Sequence, residues 1–207
     1  MQLPTPLAAA DNAIVDKSIV KEYLKLSTDD SSQDDFLQRW INSVSSAIEH
    51  FVRGPIVVRS FTEIYDGTGS AKLMVRQRPI VSLKTDQHDL KYRIDIDSPW
   101  QELEPNANHI IIKPDAPWYI YLYLNYFPAG IQNIQVAYNA GRPVTGPFDE
   151  IVVEAVTEIF KESMRGVGRL GQQSRTTSAA GVNATDSFYQ LSQKHKSMLA
   201  PYVWYMP

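Results

Sequence analysis

The chain has 207 residues, 43% of them hydrophobic, a formal charge of -3 and no cysteine. A chain of this size can bury roughly 70% of its unfolded surface, and its acidic balance excludes a protein that grips nucleic acid by neutralising phosphates. The lack of cysteine excludes a disulfide framework, a thiolate metal site and a thiol nucleophile.

No apolar run reaches the ~18 residues of a bilayer span. The start, Met1-Gln2-Leu3-Pro4-Thr5-Pro6, lacks the basic-then-apolar order of a signal peptide. A soluble chain of intracellular origin, with no membrane partner, is the expectation.

In chain order, Ile19, Val20, Tyr23, Leu24 and Leu26 predict a short amphipathic helix over 16–26, opening near Asp16 or Ser18. A second helix runs from about Asp34 to Val52, where Phe36, Leu37, Trp40, Ile41, Val44, Ile48 and Phe51 form one apolar stripe. Asp34 and Asp35 suit its positive end, and Gly54-Pro55 closes it.

The period then changes. Residues 56–65 and 71–75 read as two strands of a β-hairpin around Asp66-Gly67-Thr68-Gly69-Ser70. Further strands are expected at Tyr92–Ile96, His109–Ile112, Trp118–Leu124 and Asn133–Tyr138. Helical periodicity returns over 147–164 through Phe148, Val152, Val156, Ile159 and Phe160. Residues 165–184 are rich in Gly, Ser and Thr and read as a mobile loop. A last helix is expected from about Asp186 to Leu199, ended by Pro201 before the aromatic tail 202–207.

The motifs carry little chemistry. Two strand-like runs flank the Asp66–Ser70 glycines, whereas a phosphate loop joins a strand to a helix, so they read as a turn. His50, His88, His109 and His195 show no metal-ligand spacing, and there is no GxSxG elbow. An enzyme would need residues such as His50, His109, Glu63 and Asp66 to converge. Glu150, Glu154, Glu158 and Glu162 repeat every four residues, as a solvated stripe or a partner surface. Arg165, Arg169 and Arg175 without interleaved aromatics are a weak nucleic-acid signal. Trp118–Tyr123 alternates as a strand covered on both faces.

The order of elements resembles the head-tail connector (adaptor) family of long-tailed double-stranded DNA bacteriophages. Four stretches carry the likeness: Ser45-Ser46-Ala47-Ile48-Glu49-His50-Phe51-Val52-Arg53-Gly54-Pro55; Thr62 to Ser70 followed by Leu73 and Arg78-Pro79-Ile80-Val81-Ser82; Asn133 to Gly141 leading into the Pro147 helix with Ala155 and Glu158; and the Gly/Ser loop with the closing helix to Tyr202. Together they span most of residues 17–202, but residues 84–118 do not match. The resemblance implies a non-enzymatic structural protein that rings up in register with the twelve-fold portal, carries the next neck, stopper or tail protein and leaves a conduit for DNA.

The expected fold is α+β: a single connector domain over 1–207, with a helical bundle formed by both chain ends (16–55 and 147–200) and a small antiparallel β lobe (56–143) inserted. No cofactor or metal is expected. The partner interface is expected at Tyr202, Trp204, Tyr205, Arg165, Arg169 and Arg175, and the location in the virion neck, with assembly in the host cytoplasm. The alternatives are another neck or tail completion protein and, from a different class, a phage-encoded hydrolase.

Overall fold

The computed structural model describes residues 7–83, 89–103, 110–113, 117–123, 125–142, 147–164, 174–179, 182–187 and 191–203. Among them are four α-helices and antiparallel sheets, an α+β mixture. The chain divides into two units, one of residues 1–53 with 144–207 and one of residues 54–143.

In the first unit, α1 (Lys17–Leu24) opens on Asp16, whose carboxylate accepts from the Ser18 amide. Its buried face is not the expected apolar one: Ile19 and Tyr23 are exposed, while Val20 and Lys21 are buried. Lys21 is only 3% exposed, and its ammonium has a structural task. It donates to the carbonyls of Thr28 (3.3 Å) and Asp30 (2.6 Å) and pairs with Asp34 at 2.5 Å. One cation thus closes the loop between α1 and α2 (Asp34–Val52) and holds the Asp34 carboxylate in the first turn of α2, at its positive end.

Helix α2 has the expected bounds and buries Leu37, Ile41, Val44, Ile48 and Val52 on one stripe. The residue that ends it in left-handed geometry is Arg53 (φ 60°), one before the expected Gly54. On its polar side the chain's early residues are pinned by side chains at helical spacing. Asp35 accepts from the Leu7 amide, Asn42 accepts from the Ala10 amide and donates to the Ala8 carbonyl, and Ser45 accepts from the Ile14 amide. These polar groups satisfy backbone that would otherwise lack partners.

Helix α3 (Phe148–Met164) buries Phe148, Ile151, Val152, Val153, Ala155, Val156 and Phe160, a surface wider than one stripe. It packs on α1 and α2, with the Phe160 ring edge-on to Phe36 at 5.9 Å. Helix α4 (Gln193–Leu199) is shorter than expected. It starts on a capping box in which Ser192 and His195 serve each other's backbone amides.

In the second unit, β1 (Arg59–Gly67) and β2 (Lys72–Met74) do not form the expected hairpin. β1 pairs with β8 (Gly130–Ala140), and β2 pairs with β7 (Tyr119–Leu122). β8 is long enough to pair on its other edge with β3 (Ile80–Leu83) and then β4 (Leu90–Tyr92), which carries β5 (Gln101–Glu102). The second sheet is completed by β6 (Ile110–Ile112) on β7. Leu73, Ile120 and Leu122 from that sheet meet Tyr65, Ile80, Leu90, Ile134, Val136 and Tyr138 from the first in one core that includes Phe127. Each fully buried side chain of this kind contributes about 1.5–3 kcal/mol.

The Asp66–Ser70 turn therefore carries the chain from one sheet to the other. A bulge between Tyr65 and Gly67 bends the strand there. Asn133, 3% exposed, locks the bend by accepting from the Gly67 amide (2.8 Å) and donating to the Pro128 carbonyl (3.0 Å).

Part of the expected loop 165–184 is strand. β9 (Ser174–Ala179) and β10 (Val182–Ser187) pair antiparallel over six residues each. The remainder of that loop lies outside the described residues, as does most of the aromatic tail. Threonine-rich strands need no apolar alternation where the pairing of backbone supplies the order.

Candidate partner interface

The expected interface residues are partly placed. Arg175 lies on β9 at the register position opposite Asp186 of β10. Arg165, Arg169, Trp204 and Tyr205 lie outside the described residues. Tyr202 is half-buried at the end of a 3-10 turn, Ala200–Tyr202, that follows α4 through Pro201, so the extended path expected from residue 202 begins one residue later, at Val203. Pro201 has no N–H to continue the ladder of α4, which gives way there to the 3-10 turn. The Tyr202 ring stands edge-on to Phe148 at 4.9 Å. Tyr202→Ala is expected to cost about 1–2 kcal/mol, seen as a fall of roughly 4 °C in the thermal midpoint by circular dichroism.

His50 is exposed on α2 in the first unit, and His109 lies outside the described residues. Glu63 and Asp66 stand on β1 with separate structural duties. The Asp66 carboxylate accepts from the Gln132 amide at 2.7 Å, where Gln132 takes left-handed geometry (φ 49°). The Glu63 carboxylate accepts from the phenols of Tyr65 and Tyr138. Those phenols in turn accept from the Arg76 and Gln77 amides, at 2.9 and 3.1 Å.

Burial, reinforced by the Glu63 carboxylate, pushes the Tyr65 phenol up to about 12 and the Tyr138 phenol well above its ordinary range. Both remain neutral donors at any physiological pH. The network fastens residues 76–77 to the strand pair. Tyr138→Phe should cost about 1–2 kcal/mol, because Gln77 and Glu63 both lose a partner; chemical denaturation measures it, and an unchanged midpoint would show the network idle.

Of the acidic series on α3, Glu154 reaches α4. Its carboxylate pairs with Lys194 at 2.5 Å and lies 3.4 Å from the buried His195. Lys194 first, then His195, hold Glu154 below its ordinary range. This stripe is therefore in part an internal seam between α3 and α4. Among the described residues no group of His, Asp or Glu could hold a metal ion, and no helix is long and apolar enough to cross a membrane.

Several exposed apolar side chains lie on the β unit. Ile94 and Ile131 are each 79% exposed, and Tyr123 and Tyr126 more than half. Their signal was present in the alternation Arg93-Ile94-Asp95-Ile96-Asp97, which reads as a strand when the stretch in fact leaves β4 as a turn.

Known proteins show the same fold. No family model and no curated protein matches the sequence. A chain in the neck of an empty gene transfer agent (GTA) particle, computed with C6 symmetry, matches with TM-score 0.61 and 13% identity over 100% of this chain and 97% of that one. A chain from the neck of the native GTA particle, computed with C12 symmetry, matches with TM-score 0.61 and 11% identity over the same shares. A chain from the virion of the native particle matches with TM-score 0.54 and 14% identity over 83% of this chain and 89% of that one. At such identities the likeness is one of fold: this chain is built like chains found in the neck of a phage-like particle.

Proposed function

We propose that this chain is a structural head-tail adaptor of a phage-like particle. Copies form a ring beneath the portal, join the capsid to the neck or tail and leave a conduit for double-stranded DNA. The observation that carries the reading is the likeness in fold, over the full chain, to chains standing in a particle neck reconstructed with six- and twelve-fold symmetry.

In this reading the helices from both chain ends close into a bundle that carries the β lobe. A formal charge of -3 suits a conduit wall, since it keeps counterion-release binding weak and lets the duplex pass. Tyr202, Trp204, Tyr205, Arg165, Arg169 and Arg175 meet the portal or the next neck protein. Aromatic and arginine side chains are the kinds enriched where partners meet. Deleting residues 204–207 should accordingly leave the thermal midpoint within about 2 °C while abolishing incorporation into portal-containing particles.

Particles assembled without this chain test the reading. Filled heads lacking tails, restored to tailed particles by adding the purified chain, are expected. Fully tailed particles in its absence would contradict it.

A further inference from the structure

We infer that adjacent copies dock through their β units, an acidic aliphatic ridge on one copy meeting a basic aromatic sheet face on the next; this rests on the ring reading above. The ridge follows β4. Ile94 and Ile96 are 79% and 57% exposed, beside Ile131 at 79%, and Asp95 and Asp97 alternate with the first two on the surface.

Arg93 holds this ridge in one shape. Its amide donates to the Asn133 carbonyl (2.9 Å), Nε to the Gln132 carbonyl (3.1 Å) and Nη1 to the Ile96 carbonyl (2.6 Å), and its guanidinium lies over Trp100 at 4.7 Å. The guanidinium is spent on its own loop, so the charge offered outward comes from the two aspartates. β-Branched side chains displayed on a fixed turn are costly in water and mark a surface that is covered.

The complementary face is on the second sheet. Leu73, Ile120 and Leu122 of β2 and β7 point into the core, so period two places Lys72, Met74, Tyr119 and Tyr121 on the outside. Lys72 Nζ lies over the Tyr119 ring at 5.3 Å and Lys113 Nζ over the Tyr121 ring at 4.9 Å. The result is an aromatic surface of mutually tilted rings bearing two ammonium groups, opposite in charge to the ridge and apolar between the charges. Two different patches of one unit that fit each other make a head-to-tail contact, the kind that generates a ring when the rotation closes. Duplex DNA would suit the lysine and tyrosine face alone and leaves the aspartate ridge without a purpose, so a second copy is the occupant.

Two charge-reversed full-length chains test this, with association read by chemical crosslinking of copies both in concentrated solution and on portal rings. One carries Asp95→Lys and Asp97→Lys, the other Lys72→Asp and Lys113→Asp. All four positions are exposed, and folding is checked by circular dichroism. Each variant alone should lose roughly tenfold or more in crosslinked product, and an equal mixture should recover it, because the two kinds of copy can then alternate. Parent-like association of either variant alone overturns the inference, as does a folded mixture that fails to recover, or duplex DNA retained by the lysine face with no copy-copy crosslink. Recovery in solution without any ring on the portal would uphold this contact while removing the adaptor reading; rings on the portal indifferent to the reversals would do the opposite.

Discussion

Gly67→Ala is expected to destabilise the β unit by about 3 kcal/mol or more, one of the largest effects of a single methyl group in this chain. A Cβ at Gly67 would stand 1.8 Å from the Pro128 carbonyl oxygen and 2.9 Å from Asn133 Oδ1. Neither neighbour can retreat cheaply, since Asn133 holds both the Gly67 amide and the Pro128 carbonyl in the turn that joins the two sheets. For a chain of this size the thermal midpoint should fall by about 6–12 °C. Gly69 is the control. It is left-handed at φ +70°, but a Cβ there meets only Ala129 at 3.7 Å, so Gly69→Ala should cost about 1 kcal/mol of backbone strain. Equal midpoints for the two variants would show that the close approach at Gly67 does not constrain the fold.

Lys21→Met is expected to cost the helical unit about 2–3 kcal/mol, because it leaves two carbonyls and one carboxylate oxygen without their donor in a partly buried place. Lys17 also pairs with Asp34, at 2.7 Å, but its side chain is 36% exposed against 4% for Lys21. Lys17→Met should therefore cost no more than about 1 kcal/mol. The two lysines hold the Asp34 carboxyl below its ordinary 3.8. A depressed folded value means that this carboxylate adds stability above the unfolded value and loses it as pH falls through the folded one. The gap between parent and Lys21→Met should therefore be full at neutral pH and narrow below about pH 4. A gap constant down to pH 2 would mean that the pair is idle and that only the packed methylenes of Lys21 matter.

These two positions also show why some of the fold was legible and some was not. Helix α2 could be bounded from its own residues because Leu37, Ile41, Val44 and Ile48 repeat on one stripe and Asp34 marks its start. The face of α1 could not. Periodicity counts Ile19 and Tyr23 as apolar and Lys21 as polar, whereas the carbonyls of Thr28 and Asp30 and the Asp34 carboxylate make the buried place for Lys21. Nothing local to α1 announces those three acceptors.

Strand existence was legible and strand pairing was not. The alternation through β1, β7 and β8 was visible, yet β1 and β2 looked like a hairpin because they flank a glycine turn. The partner of β1 is the distant β8, whose eleven residues accept strands on both edges. Backbone hydrogen bonds carry no sequence label, so a partner so far away leaves no mark near the turn. The polar β9 and β10 escaped notice for the related reason that serine and threonine fill them without an apolar face. At the candidate interface, an aromatic tail was visible as composition, but the packing of Tyr202 on Phe148 needed the position of α3. The ridge at Ile94 and Ile96 was visible only as alternation, which a strand would also give.

Electron cryomicroscopy of purified portal rings mixed with this chain tests the central claim most directly. The account predicts one added ring of density below the portal, with subunits into which the two units of this chain fit and with the β unit of each copy touching the next. Portal rings unchanged by a saturating excess of folded chain, or a single copy bound off the axis, would contradict it.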